Sequence, residues 1–198
     1  MKRAPNVDLA QRAIAQFLDA LGYDLDQPAL LGTPLRVVEA YLTDLVVGER
    51  LDVERIVTDG SVPCESQGLV VVREITTMTL CPHHLLPAQG YATVAYLAGT
   101  RTLGLGTVAH LVDACSRRLT LQEQIGQQVT DALMRFAGAR GAYCSLRLEH
   151  ACLRLRGARQ ACSVVETVHV EGRLNDAPYA GQLAIALGAS AKESGEAT

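Results

Sequence analysis

Apolar positions recur at intervals of three and four through residues 8–21, as Leu9, Ala13, Ile14, Phe17, Leu18 and Leu21. That spacing gathers them on one face of a helix, which Gly22 ends. Gly32-Thr33-Pro34 opens a second helix, with Thr33 as N-cap and Pro34 at the first helical position. Val37, Val38, Tyr41, Leu42, Leu45 and Val46 mark its apolar face, and Gly48 closes it. Past the turn signals Asp59-Gly60 and Pro63, the pattern becomes extended. Leu69-Val70-Val71-Val72 is a β-branched run that predicts a strand continuing toward Leu80. Residues 91–97 predict a second strand, so that 81–90 would join an antiparallel pair. Gly104-Leu105-Gly106 breaks the chain before a helical region over 107–137, where Ile125, Val129, Leu133 and Phe136 share one face. Two further strands are expected over 142–156 and 161–171.

Two helices, two strands, a helical middle and two more strands predict an α+β fold with an antiparallel sheet. The expected division is an N-terminal helical segment over 1–60, a catalytic domain over 61–187 and a frayed tail over 188–198. Composition agrees: in 198 residues, an apolar share of 48% is enough for a buried core. The net charge of −3 speaks against nucleic acid as a partner, because such proteins present a basic surface. No run of about 18 apolar residues offers a membrane span. Asp8, Gln11, Arg12 and Gln16 interrupt what would otherwise follow Met1-Lys2-Arg3 as a signal peptide. The chain therefore reads as cytoplasmic, where its six cysteines favour thiols and metal ligands over disulfides. Cys64, Cys115, Cys144 and Cys162 read as small buried hydrophobes.

Two clusters carry candidate chemistry. Cys81-Pro82-His83-His84 follows a predicted strand, and a thiolate and an imidazole three residues apart can reach one zinc ion. His150-Ala151-Cys152 lies in the predicted strand 142–156, whose even positions run from Cys144, Leu146 and Leu148 to His150, Cys152, Arg154 and Arg156. On an extended chain those residues share a face. Together the clusters hold two Cys and three His, one donor more than a closed structural site uses. With Cys81, His84 and Cys152 on the metal, a coordination position stays open for water, and His83 and His150 are free to move protons.

These motifs resemble the GTP cyclohydrolase I family, marked by a Cys-x-His-His loop and a later His-x-Cys-x-x-x-Arg run. The resemblance spans roughly residues 33–172 and includes Thr33-Pro34-x-Arg36, Leu85-Leu86-Pro87, Ala92-Thr93-Val94-Ala95-Tyr96, Gly104-Leu105, Arg118, Gln122-Glu123 and Arg156-Gly157. It implies a T-fold (tunnelling fold) subunit with two helices on one face of its sheet. It also implies a ring-shaped homo-oligomer, typically a decamer, and hydrolytic opening of a guanine nucleotide at C8 with release of formate. The implied zinc ligands are Cys81, His84 and Cys152. His150 resembles the acid–base residue acting at N7, and His83 its partner. Glu123, with Gln122 beside it, resembles the carboxylate that grips the guanine N–H edge, while Arg36 and Arg156 resemble phosphate-binding arginines. The sequence departs from the family where Ser, Lys and Arg of the phosphate pocket are expected and Gly106, Thr107 and His110 stand. Pro82 also replaces a glutamate. An intact metal end with an eroded phosphate end implies a less phosphorylated or different purine substrate, with His110 available near the phosphate. Two alternatives remain open: a non-catalytic zinc-bearing assembly subunit, and a nitrile-reducing T-fold enzyme, which works through a nucleophilic cysteine without this ligand set.

Overall fold

A computed structural model of the chain describes residues 4–65 and 68–188. Its elements are helices α1 (Val7–Ala20), α2 (Thr33–Ala40) and α3 (Val53–Asp59), then strands β1 (Ser61–Pro63), β2 (Leu69–Leu80), β3 (Pro87–Leu97) and β4 (Arg101–Leu103). There follow α4 (Leu105–Ser116), α5 (Gln122–Phe136), β5 (Gly141–His150), α6 (Ala151–Arg154), β6 (Val165–Gly172) and α7 (Ala177–Gly188). The chain forms two compact units that divide between Val47 and Gly48.

In the first unit, α1 begins where Asn6 Oδ1 accepts the Leu9 N–H at 2.9 Å. The cap of α2 is Gly32 at φ 74°, with Thr33 already helical, so the expected threonine cap is displaced by one residue. A left-handed backbone at that position suits glycine. After Ala40 the helix does not continue regularly to Val46. Tyr41–Leu45 form a wider π turn.

The second unit is built on a four-stranded antiparallel sheet in the order β2-β3-β5-β6. Helices α4 and α5 cover one face and make the main core with Val94, Tyr96, Leu111, Val112, Ile125, Val129, Leu133 and Leu146. This is the α+β arrangement expected of a T-fold subunit. Helix α3, grouped with the N-terminal segment by sequence, adds Val57 to that core. The opposite face is covered at one end by α7, an element the periodicity did not predict. Ala95, Leu97, Tyr143, Leu174 and Leu183 form a second core there. Along β3 the consequence is visible: Gln89 and Tyr91 are exposed, whereas Ala95 and Leu97 are buried.

Three expectations need correcting. The helical region 107–137 is two helices interrupted at 117–121. The strand expected over 142–156 stops at His150, because the chain turns into α6 there, and β6 starts at Val165 rather than 161. Of the quartet read as buried thiols, Cys115 and Cys144 are buried but Cys162 is exposed. The expected frayed tail lies outside the described residues apart from Gly188, which ends α7.

Candidate active site

The site forms at the end of the sheet away from α7. Strands β2 and β3 are joined by residues 81–86, with Leu80 opposite Pro87. The loop closes on itself: Cys81 N–H donates to Leu86 O and Leu85 N–H to Cys81 O, both at 2.9 Å. Leu85 sits at φ 55°, a left-handed conformation that costs a leucine about 1–3 kcal/mol and that the surrounding loop must hold. The pairing of Ala88 with His150 brings the end of β5 beside this loop. The connection from α4 to α5 completes the cluster: Arg118 O accepts Leu80 N–H at 3.3 Å and the Thr79 hydroxyl at 3.2 Å. That contact sets the first turn of α5, with Gln122 and Glu123, at the same end of the sheet.

Cys81, His84 and Cys152 present their ligand atoms within 4.8 Å of one another. Two ligands on a tetrahedral zinc, one sulfur and one nitrogen at their usual bond lengths, lie about 3.6 Å apart. Cys81 Sγ and His84 Nδ1 are 3.7 Å apart. The trio fits a metal ion in donor type and spacing, and three donors leave a position over. Without a cation, burial pushes the Cys152 thiol up, Cys81 adds to the effect, and Arg156 opposes it. A dication reverses that balance by favouring the thiolate. Arg156 also donates from Nη1 to His84 Nε2 at 2.9 Å, which requires a lone pair on that nitrogen. A metal on Nδ1 would move the ring proton to Nε2 and set the two groups against each other.

His150 lies beside this trio with Nε2 at 2.7 Å from Gln122 Oε1. Burial pushes its imidazole below the usual histidine range, and the Glu123 carboxylate pulls it back up. His83 is exposed, its Nδ1 3.8 Å from Cys81 Sγ and its ring edge-on to His84.

The structure thus brings together Cys81, His83, His84, Gln122, Glu123, His150, Cys152 and Arg156. His150 and Cys152 converge for a different reason from the one their spacing suggested: they lie at a strand–helix junction, not on one strand face. His110 stands exposed on α4 and has no bond to the cluster among the described residues. Arg36 belongs to the N-terminal unit, where it donates to Leu31 O and Thr33 Oγ1, each at 2.8 Å. Gln122, expected to face substrate, has its amide engaged by the sheet and His150. Thr167 supports it, and no local pattern in the sequence pointed to Thr167.

An antiparallel sheet backed by helices carries, at one end, a Cys–His–Cys trio that could hold a metal, with the half-buried His150 and the exposed His83 beside it, an arrangement suited to a metal-assisted hydrolase. The sequence model described as GTP cyclohydrolase I matches residues 10–187. GTP cyclohydrolase 1 of Leifsonia xyli subsp. xyli is 36% identical over 184 residues, 91% of this chain and 95% of the relative. GTP cyclohydrolase 1 of Teredinibacter turnerae is 38% identical over 155 residues, covering 77% and 83%. Among solved structures, the apo archaeosine synthase QueF-Like shares 16% identity at a TM-score of 0.44, over 55% of this chain and 97% of that one. The chain belongs to the GTP cyclohydrolase I family and is an enzyme of that type. No helix among its described residues is long and apolar enough to cross a membrane.

Proposed function

We propose that this chain is a zinc-dependent hydrolase that opens the imidazole ring of a guanine nucleotide at C8 and releases formate. The observation that carries the reading is the convergence of Cys81, His84 and Cys152 from two distant segments beside His150. Zinc, when bound there, supplies a Lewis acid for water activation and carbon polarisation. The chain's own groups do the rest. Glu123 is exposed in the first turn of α5 and accepts paired N–H donors from a guanine edge, an arrangement strengthened by the charge. His150 hands a proton to the purine, and the exposed His83 exchanges protons with solvent near the same metal. Arg156, which a metal on His84 would release, is the cation this site offers a phosphate.

The substrate we favour carries fewer phosphates than GTP. Thr107 is committed to the fold: its hydroxyl donates to Gly60 O at 3.3 Å, and a Cβ on Gly60 would lie 2.2 Å from its Oγ1. Gly106 has no side chain to offer, which leaves His110 alone on that helix. Two missing cationic contacts at about 1.5–3 kcal/mol each correspond to roughly 10²–10⁴ in affinity for a polyphosphate. The assembly we propose is a ring of identical subunits, the family's decamer, because β2 and β6 are edge strands of the described sheet and open edges invite pairing.

Formate release from GTP, GDP, GMP, guanosine and free purines, on protein of measured zinc content, tests these readings. Turnover of a guanine compound without preference for GTP is expected. A clear preference for GTP rejects the altered substrate. Stoichiometric zinc with no formate from any of them favours the non-catalytic assembly subunit.

A further inference from the structure

Gln122 is almost sealed from solvent, 3% exposed, at the start of α5. Its amide nitrogen lies 3.1 Å from Leu146 O, 3.0 Å from Val165 O and 3.1 Å from Thr167 Oγ1. Two of these partners are main-chain carbonyls, which only accept. The –NH₂ must face them, since a half-turn of the amide would set its oxygen against two other oxygens. Strands β5 and β6 therefore fix the orientation of the group and leave Oε1 facing His150 Nε2 at 2.7 Å. An amide oxygen also only accepts. The hydrogen in that contact must come from the imidazole.

We propose that Gln122 is a positioning residue for His150, holding its neutral ring as the Nε2–H tautomer and so assigning proton exchange with the substrate to Nδ1. The proposal rests on the reading of His150 as the residue that hands a proton to the purine. In that step the doubly protonated ring breaks its Nδ1–H bond, an N–H bond forms on the purine nitrogen, and the electron pair stays on Nδ1. The ring returns to the tautomer that Gln122 holds, and solvent supplies the next proton. The opposite tautomer would place the Nε2 lone pair against Oε1 at hydrogen-bond distance. Which nitrogen of a histidine works is set by the bond the other one makes. Here that bond is anchored through the amide to the main chain of two strands. Both ends of the Gln122 amide are in use, so the residue does not grip the nucleotide.

Solid-state ¹⁵N NMR of the zinc-loaded full chain, labelled at histidine, tests this, with His150 assigned by its loss in His150→Gln. The neutral His150 ring of the wild type is expected to show a protonated Nε2 and a bare Nδ1. Gln122→Met, similar in length but without the amide, should give mixed tautomers. Its kcat should fall about 10–100-fold, as for other groups that orient a working ligand or base, with KM little changed. A wild-type ring protonated on Nδ1 overturns the proposal. So does a Gln122→Met enzyme with raised KM and intact kcat, which would mark Gln122 as a substrate contact. Should Gln122→Met not fold, Thr167→Val removes only the shared third acceptor, and two carbonyls remain for two N–H groups. That variant must keep the wild-type tautomer, and loss of it also overturns the proposal. The tautomer is read without turnover, so absence of formate would defeat the proposed function and leave this result standing.

Discussion

Cys115 and Cys144 are buried in the main core, whereas Cys152 is half-buried at the end of the sheet. Burial pushes the Cys115 thiol up to about 11, against the pull of Arg118, and burial together with Cys115 pushes Cys144 up to about 12. Both groups stay protonated and inert at neutral pH. The sign of the resulting pH dependence follows from linkage. An unfolded thiol begins to ionise near 9, the folded ones only later, so the unfolded state binds fewer protons in between. The stability these thiols contribute is complete below that unfolded value and is lost as pH rises toward the folded ones. Melting temperature measured across this alkaline window should fall more steeply for the wild type than for Cys144→Ala. Equal slopes would show that the thiol does not titrate as its burial requires. Composition could not distinguish these cysteines. Cys81 and Cys152 were legible through neighbouring histidines, whereas the exposure of Cys162 depends on a loop whose course no periodicity describes.

At the scale of elements, the pairing of β3 with β5 governs the site, since it sets His150 opposite Ala88 beside the Cys81 loop. Gly90 makes that pairing close. A Cβ there would lie 2.1 Å from Arg147 O, a main-chain atom that cannot step aside. Gly90→Ala should destabilise the fold by about 1–3 kcal/mol, the usual cost of overpacking, read as a shift of the urea midpoint. An unchanged midpoint would mean that the strands are not so closely joined. The strands β2 and β3 were readable because their β-branched and alternating residues reflect burial on one face. The end of β5 was not. His150, Cys152, Arg154 and Arg156 continue the alternation in sequence, but the backbone turns into α6 after His150, and alternation cannot report a turn that lacks glycine or proline. Helix α7 was missed because its run Ala184-Ile185-Ala186-Leu187 is apolar on successive positions, with no helical period to read.

Over the whole second unit, three segments far apart in the chain meet at one end of the sheet: the loop 81–86, the first turn of α5, and the junction of β5 with α6. Their meeting depends on strand register and on the bonds between Arg118 and the end of β2, so the ligand trio could be proposed from motif but its geometry could not. The opposite end is closed by α7 and, among the described residues, carries no such cluster. This polarity makes the candidate metal centre the point on which the functional account turns. X-ray absorption at the zinc edge of the purified full chain tests it most directly. The account predicts one zinc per chain with two sulfurs at about 2.3 Å, one imidazole nitrogen at about 2.0–2.1 Å and a single exchangeable light atom, and one sulfur fewer in any zinc retained by Cys152→Ser. A site with four protein ligands, or a wild-type spectrum that Cys152→Ser leaves unchanged, would contradict it.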